Sequence, residues 1–394
     1  MQVIKKSEKI RFSALQATYW CSIAALSSFA VALATDRGVS PATIGIMAAV
    51  FKAAAVIGQF FWGAVCDKLR SNRKVFIVMN ILMFAVTMGF YYFKNVWMMT
   101  VFYALMGFMN SPTSSNLDTW IMAHLKKGND NSYGIIRSMG SLGYAVFVFF
   151  YGSLVASKGY WVMPIFMLCF VLMTVVISIS MPNDREDDRL RGAKTKINPS
   201  DFKALLTNTT FVFLMVILFF DGFAIMSIGQ MKALIFTSMG ADPNANIGYD
   251  GFVAGLAQVP MMFLAAKLTK FSPMARLAAG ITLDMAMIAI DFCAVVPQMI
   301  FIGSIMSGLG YGLILPAMRE LIASSTDDKL RTSAQGIGDA AYISVSGILG
   351  SLASGYLIDA FGMKFMLGFF MCVQIIPIVA TIVFIAKTSK KKNA

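Results

Sequence analysis

The chain has little charge and almost no histidine. Only 13% of its 394 residues are Asp, Glu, Lys or Arg, whereas about 25% is usual in a soluble domain. His124 is the single histidine, and the five cysteines lie far apart along the chain. These scarcities exclude a disulfide framework, a haem site and a structural zinc site. We therefore predict no metal, no cofactor and, because no catalytic constellation is present, no enzyme.

Apolar residues are abundant instead, at 58% of the chain. They occur in runs of about 20 residues, the length that crosses a hydrocarbon core about 30 Å thick. The runs lie near 12–35, 41–66, 74–93, 97–123, 133–157, 160–181, 209–235, 246–268, 275–296, 298–323, 332–358 and 363–386. The sequence thus predicts an all-α integral membrane protein with twelve transmembrane helices.

The net charge of +13 could suggest nucleic acid as a partner, but the placement of the charges argues otherwise. Most Lys and Arg residues fall in alternate loops, which is the asymmetry that places basic loops on the cytoplasmic side of a membrane. We expect a multi-pass protein of the plasma (inner, cytoplasmic) membrane with both termini in the cytoplasm. The predicted partners are the lipid bilayer, a small-molecule substrate and protons, and the protein is expected to be a monomer.

The polar stretch NDREDDRLRGAKTKINPSDFK divides the chain near its middle. Its dense charge and lack of apolar residues indicate a solvated linker. The predicted organisation is a six-helix bundle at 1–182, a cytoplasmic linker at 183–208 and a second six-helix bundle at 209–394.

The loop after the second run reads GAVCDKLRSNRK, from Gly63 to Lys74. Gly63 would allow close helix packing, Asp67 ends a helix, and Arg70, Arg73 and Lys74 supply positive charge. The stretch resembles the loop signature of the major facilitator superfamily, which implies the major facilitator fold and a loop that latches one access state. A simpler alternative is that these basic residues only orient the protein in the membrane.

The second half has a counterpart, AAKLTKFSPMAR, from Ala265 to Arg276. It keeps basic residues but has no acid in the place of Asp67. Any latch in the second half is therefore expected to be degenerate.

A second motif combines Asp118 in the fourth run with YGIIRSMGSLGYA in the fifth. Asp118 and Arg137 lie at similar distances from the turn between two antiparallel helices, so each is the natural partner of the other. A charge inside a membrane helix is costly unless it is paired or faces water. Arg137 could instead extend its side chain to the nearby cytoplasmic interface.

The pattern resembles the branch of the superfamily around lactose permease and the phenylpropionate permease-like proton symporters. That resemblance implies that Asp118 and Arg137 meet the substrate and that Tyr144 stacks on it. Other polar and aromatic residues that could line a central cavity are Gln16, Tyr19, Trp20, Asn116, Trp120, Gln258, Gln335 and Tyr342.

The resemblance fails at the tenth helix, which has no histidine and only Glu320 as an acid. Proton coupling would therefore need another carboxylate, and burial favours the protonated form of such a group. The candidates, in order of preference, begin with Asp284 and continue with Asp221, Asp291 and Asp339. For each, the alternative is a structural ion pair with a basic residue such as Lys52, Lys232 or Arg319.

The predicted function is proton-coupled import of a small polar solute, such as a sugar, a nucleoside or a related metabolite, by alternating access. The runner-up is efflux of a drug or metabolite by proton antiport. Efflux relatives typically carry a GPxxGG motif in the fifth helix, where this chain has GSLGYAVFVFFYG without that proline. No segment resembles a channel filter or a soluble output domain.

Overall fold

The computed structural model describes residues 6–69, 71–124, 130–181, 205, 207–265, 267–268, 270–327 and 330–392. Within these ranges the regular structure is helical and no strand occurs, as the apolar runs predict. The chain divides into two compact units. Unit 1 contains Met1–Gly192 and Asp242–Phe252, and unit 2 contains Ala193–Ala241 and Val253–Ala394. Most of the predicted linker 183–208 lies outside the described residues, so the domain boundaries stay a prediction.

In the described part of the chain, seven helices precede the linker. They are α1 (Lys6–Ser27), α2 (Ala30–Asp36), α3 (Pro41–Leu69), α4 (Asn72–Tyr92), α5 (Val96–His124), α6 (Asp130–Lys158) and α7 (Val162–Ser180). The helices after the linker are α8 (Thr209–Gln230), α9 (Lys232–Ser238), α10 (Pro243–Ala265), α11 (Pro273–Cys293), α12 (Pro297–Ser324), α13 (Arg331–Asp339), α14 (Ser346–Phe361) and α15 (Met363–Lys392). A π-helical segment, Ala340–Val345, joins α13 to α14.

The first membrane crossing of each half is broken in the same way. In the first half a helix of 22 residues is followed by one of 7 residues. In the second half α8 and α9 have the same two lengths. Interrupted helices at corresponding positions of two halves are typical of transporters built from internal repeats. The sequence predicts each of these crossings as one continuous run.

Helix starts follow local sequence signals. Ser71 accepts a hydrogen bond from the Lys74 amide at the start of α4. Ser272 accepts one from the Ala275 amide at the start of α11 and precedes a proline in the first turn. Such caps satisfy amide groups that have no partner within the helix.

Ten helical stretches in the described ranges are long and apolar enough to cross a membrane. The two remaining long helices, α5 and α10, fall short because they are more polar. Helix α5 contains the run NSPTSSNLD, and α10 begins PNANIGYD. Polar groups at membrane depth face protein or water rather than lipid, so these two helices are where a path for a polar solute is expected.

Helices α3 and α5 interlock through glycines. A side chain at Gly58 would overlap the carbonyl of Phe108, and one at Gly107 would overlap the carbonyl of Phe51. Pro112, inside α5, lacks the amide hydrogen that would otherwise bond that Phe108 carbonyl. Small residues at helix contacts let backbones approach closely in membranes, and here they fix the polar helix α5 within unit 1.

Candidate functional site

An ion pair lies inside unit 1, between α5 and α6. The Oδ2 atom of Asp118 is 3.9 Å from Nε of Arg137, and the two side chains are 29% and 32% exposed. The predicted pairing is therefore present. Because neither group is fully enclosed, both can still contact a solute.

Side chains of α1 and α6 complete this arrangement. The Arg137 guanidinium lies 4.7 Å from the centroid of the Trp20 ring. Gln16 donates a hydrogen bond of 2.9 Å from Nε2 to Asp118, and the Trp20 indole donates one of 3.0 Å to Gln16 Oε1. Tyr133 of α6 also interacts electrostatically with Asp118. We call Gln16, Trp20, Asp118, Tyr133 and Arg137 the arginine cluster.

A glycine on α6 makes the approach of α1 possible. A Cβ atom at Gly140 would lie 2.5 Å from Cδ1 of Trp20 and 3.0 Å from the Gln16 side chain. One turn further on, a Cβ atom at Gly143 would lie 3.1 Å from Ala17. The indole can reach Arg137 because residue 140 has no side chain. The guanidinium is thus held by α1 and α5, which favours the predicted pair over extension to the interface.

The other predicted substrate residues divide into near and distant ones. Tyr19 packs edge-on against Trp20 and donates to the Asn110 carbonyl at 3.3 Å, so it lies directly behind the cluster. Tyr144 shares a hydrogen bond of 2.9 Å with Ser28, at the break between α1 and α2.

Asn116 and Trp120 lie away from the cluster. Asn116 donates to the Asn72 carbonyl at 3.1 Å. Trp120 is fully buried against Phe12 and Phe76. Their contacts are with the core of unit 1, although they share α5 with Asp118.

The loop between α3 and α4 is described except for Arg70, which lies outside the described residues. Asp67 and Lys74 are exposed, and Arg73 donates a hydrogen bond of 2.7 Å to the Met181 carbonyl after α7. The close packing expected at Gly63 is not seen. A Cβ atom there would meet no described atom within 4 Å.

Two of the four candidate proton-binding acids in unit 2 are ion-paired. Asp291 lies 3.0 Å from Nζ of Lys232, at the break between α8 and α9, and that amine also donates to Ser304 at 3.0 Å. Asp339 lies 2.8 Å from Arg319. For both acids, the sequence analysis left a structural ion pair open as the alternative to a role in proton binding. The two pairs therefore leave Asp221 and Asp284 as the candidates for the proton carrier.

Asp221 and Asp284 differ because no ion pair to either occurs in the described residues. Asp221 is 0% and Asp284 is 1% exposed. Gln374 of α15 donates from its amide to Oδ1 of Asp221, while Oδ2 of Asp221 and both oxygens of Asp284 have no hydrogen-bond partner among the residues that the structure describes. The fully buried Tyr342 hydroxyl also lacks a partner and interacts electrostatically with both acids. We call Asp221, Asp284, Tyr342 and Gln374 the buried acid cluster.

Sequence reasoning missed Tyr133 and Gln374. Tyr133 precedes Arg137 by one helical turn, and this spacing puts the two side chains on one face of α6. That signal was available from the sequence. Gln374 comes from the last helix, and only the folded unit brings it to Asp221.

A cavity of about 840 Å³ lies apart from these clusters, between α1, α6 and α7. Its lining is apolar and includes Leu142, Val146, Phe150 and Phe170. It contains neither Asp118 nor Arg137. Such a lining suits hydrocarbon and provides no group that could select a polar solute.

Helices long enough to cross a membrane, a broken first crossing in each half, and charged groups held inside each unit together define a secondary transporter. A family model described as the MFS_1 like family matches residues 10–369. The chain therefore belongs to this family, within the major facilitator superfamily, and it is a multi-pass membrane transporter rather than an enzyme.

Relatives of known sequence or structure agree with this fold. The chain is 22% identical over 333 residues to the uncharacterized transporter YwbF of Bacillus subtilis (strain 168), covering 83% of this chain and 80% of that protein. A crystal structure of a mutant of the nucleoside transporter NupG matches with a TM-score of 0.84 at 14% identity, over 95% of this chain and 99% of the other. A bacterial homologue of the human lysosomal transporter Spinster matches with a TM-score of 0.69 at 11% identity, over 97% of each chain.

Proposed function

We propose that the protein imports a small polar organic solute together with protons, and that the arginine cluster of unit 1 binds the solute. The observation that carries this proposal is the contact of Arg137 with both Asp118 and Trp20. It combines a cation, an anion and an aromatic face at one partly exposed place. The solute moves by alternating access, with the protein as a monomer in the cytoplasmic membrane and both termini on the cytoplasmic side.

The chemistry of the cluster favours a solute with hydroxyl groups and a flat face. The carboxylate of Asp118 accepts hydrogen bonds, the guanidinium of Arg137 donates them, and Trp20 offers a surface for stacking. A sugar or a nucleoside fits this combination. NupG is a nucleoside transporter, so nucleosides belong in the first set of solutes to be tested.

Proton coupling is assigned to unit 2. Of the four acids considered, Asp291 and Asp339 are neutralised by Lys232 and Arg319. A buried carboxylate without a counter-charge is energetically costly unless it takes up a proton. Asp284 is therefore the preferred proton carrier, near the middle of α11.

The test is uptake into proteoliposomes that contain the purified full chain. A panel of radiolabelled sugars, nucleosides and related metabolites is applied with and without an imposed pH gradient. In the gradient, the solution from which the solute is taken up is the acidic one. Accumulation above the external concentration, only with the gradient, is expected for at least one solute. Liposomes with Arg137→Lys protein provide the control for binding at the proposed site.

Three outcomes would contradict the proposal. Solute export driven by inward proton flow would establish the antiport alternative. Equilibration of a solute with no response to the gradient would make the protein a facilitator. Accumulation that follows sodium rather than protons would replace the coupling ion.

A further inference from the structure

The buried acid cluster lies entirely inside unit 2 and joins four separate parts of the chain. Asp221 comes from the middle of α8, Asp284 from α11, Gln374 from α15 and Tyr342 from the π-helical segment. We propose that this cluster is one proton-binding site, in which Asp284 carries the proton and Asp221 keeps its charge. The inference rests on the proposed function only where it identifies this proton as the coupling proton.

The first argument is the contrast between two acids of one helix. Asp284 and Asp291 are seven residues apart on α11, and each packs against a glycine of α12. A Cβ atom at Gly310 would lie 2.9 Å from Asp284, and one at Gly303 would lie 2.6 Å from Asp291. Both carboxylates are buried, but the Lys232 ammonium lies beside Asp291 only. With the same burial and no cation, Asp284 needs another source of neutrality, and a proton supplies it.

The second argument is independent of the acids and concerns Tyr342. Its side chain is 0% exposed, and its hydroxyl has no hydrogen-bond partner among the described residues. A buried hydroxyl without a partner is rare in proteins, because leaving it unbonded is energetically costly. The hydroxyl belongs to the electrostatic surroundings of both acids. It is thus available to donate to a carboxylate once the proton leaves.

Gln374 decides which acid keeps the charge. Its amide N–H donates to Asp221, and its own Oε1 is left without a partner. A donated amide hydrogen stabilises an ionised carboxylate, whereas it would repel a bound metal cation. In the described part of the chain Asp284 accepts no such amide hydrogen, and the Ser307 hydroxyl is the polar group that approaches it. Asp221 is therefore the charged member and Asp284 the protonated one.

Several elements place side chains around Asp284. It interacts with Asp221 on α8, Ser307 on α12 and Tyr342 in the π-helical segment, and Tyr311 of α12 stacks on Tyr342. On α15, Nε2 of Gln374 lies 3.5 Å from the carbonyl of Ile281 in α11. None of these side chains carries a positive charge. Arg276, on the same helix, is paired with Glu320. A proton is thus the neutralising group that the described residues leave to Asp284.

The π-helical segment links this site to the backbone of the membrane crossing formed by α13 and α14. A side chain at Gly222, next to Asp221, would overlap the carbonyl of Tyr342. Short π segments inside α-helices are uncommon and often mark functional sites. Here the segment holds Tyr342 against α8 beside the charged acid, so a change of charge at the cluster acts directly on a locally irregular helix.

The experiment measures the proton itself. Infrared difference spectra of the purified full chain in lipid are recorded across a pH titration in H2O and in D2O. A protonated carboxyl group gives a carbonyl band that shifts in D2O. We expect one such band, lost in Asp284→Asn and retained in the matched control Asp291→Asn, because Asp291 stays ionised beside Lys232.

Further variants keep the test decisive. Tyr342→Phe should shift the frequency of the band without removing it, and this measurement serves if Asp284→Asn does not fold. Any of three results would overturn the inference. The band could survive in Asp284→Asn, it could stay unshifted in Tyr342→Phe, or the spectra could respond to sodium but not to pH. A titrating band in a protein whose uptake ignores the pH gradient would refute symport and leave the site standing. Uptake that is driven by the pH gradient in a protein without this band would support symport and refute this site.

Discussion

The two units bury carboxylates in opposite ways. In unit 1, Asp118 faces a guanidinium, is bonded by an amide and remains 29% exposed. In unit 2, Asp221 and Asp284 are at most 1% exposed and form no ion pair in the described residues. Both places contain aspartate, so exposure and counter-charge make the difference.

This contrast separates two tasks of a coupled transporter. A carboxylate that is paired with a cation and accessible to solvent stays ionised and can exchange one hydrogen-bond partner for a solute. An uncompensated and enclosed carboxylate changes its protonation state more readily than its partners. We therefore expect changes in unit 1 to alter solute binding and changes in unit 2 to alter the dependence on protons.

The strongest test of unit 1 is Arg137→Lys, which should abolish concentrative uptake. Lysine keeps the charge but loses the planar group that contacts Asp118 and stacks on Trp20. Loss of one charge-assisted hydrogen bond from the guanidinium to the solute would cost about 1.5–3 kcal/mol, which corresponds to roughly ten- to a hundredfold in affinity. Initial uptake rates at several solute concentrations measure the effect.

The control for this change is Arg11→Lys, an exposed arginine of α1. It should transport normally. Asp118→Asn should be about as damaging as Arg137→Lys, and the double variant no worse than either, because all three changes remove one pair. Normal transport by Arg137→Lys would refute the assignment of the site.

In unit 2, Asp284→Asn should separate accumulation from exchange. Accumulation driven by a pH gradient is expected to disappear, while exchange of labelled for unlabelled solute continues. Exchange needs no net release of a proton, whereas accumulation does. Asp359→Asn, at an exposed acid of α14, is the control. Unchanged accumulation in Asp284→Asn and also in Asp221→Asn would exclude proton symport through this cluster.

A smaller effect is expected from Trp20→Leu in unit 1. Removing the ring under the Arg137 guanidinium forfeits a cation–π contact worth about 0.5–2 kcal/mol. The KM for the solute should rise roughly two- to thirtyfold, while the dependence on the pH gradient stays intact. Trp161→Leu, an indole that is 58% exposed, should leave KM unchanged. Loss of pH dependence in Trp20→Leu would break the division of tasks between the units.

Much of the fold follows from the sequence because crossing a bilayer leaves few alternatives to an apolar helix. The breaks in the helices do not follow in the same way. The interruption at Ser28 and Phe29 and the π segment around Tyr342 leave the apolar pattern continuous. They depend on contacts with other helices, which hydropathy does not record.

The sites divide along the same line. The pairing of Asp118 with Arg137 is predictable because one short turn fixes the relative depth of their helices. The contact of Trp20 with Arg137 depends on Gly140 bringing α1 close to α6. The choice of Lys232 as the partner of Asp291 depends on a helix break. Neither of these two contacts can be predicted from a local sequence pattern.

The smallest effect concerns the loops after the second span of each half. In the first half, exposed Asp67 lies in the last turn of α3. In the second half the corresponding loop has no acid, and its Arg276 is paired with Glu320 of α12. Because the first loop resembles the superfamily signature, we expect it to act as a latch. Asp67→Ala should therefore lower the maximal transport rate severalfold and leave equilibrium solute binding unchanged.

Glu320→Gln tests the other half of this comparison. Because that acid is paired within its own unit, its loss should lower thermal stability more than the transport rate. Binding by isothermal titration, initial rates and melting temperature, measured on both variants, distinguish the two roles. If Asp67→Ala weakened binding while the saturated rate stayed normal, the loop would act on the site and not on the change between access states. The loop that contains Asp67 would then differ from its counterpart in the second half by its effect on solute affinity.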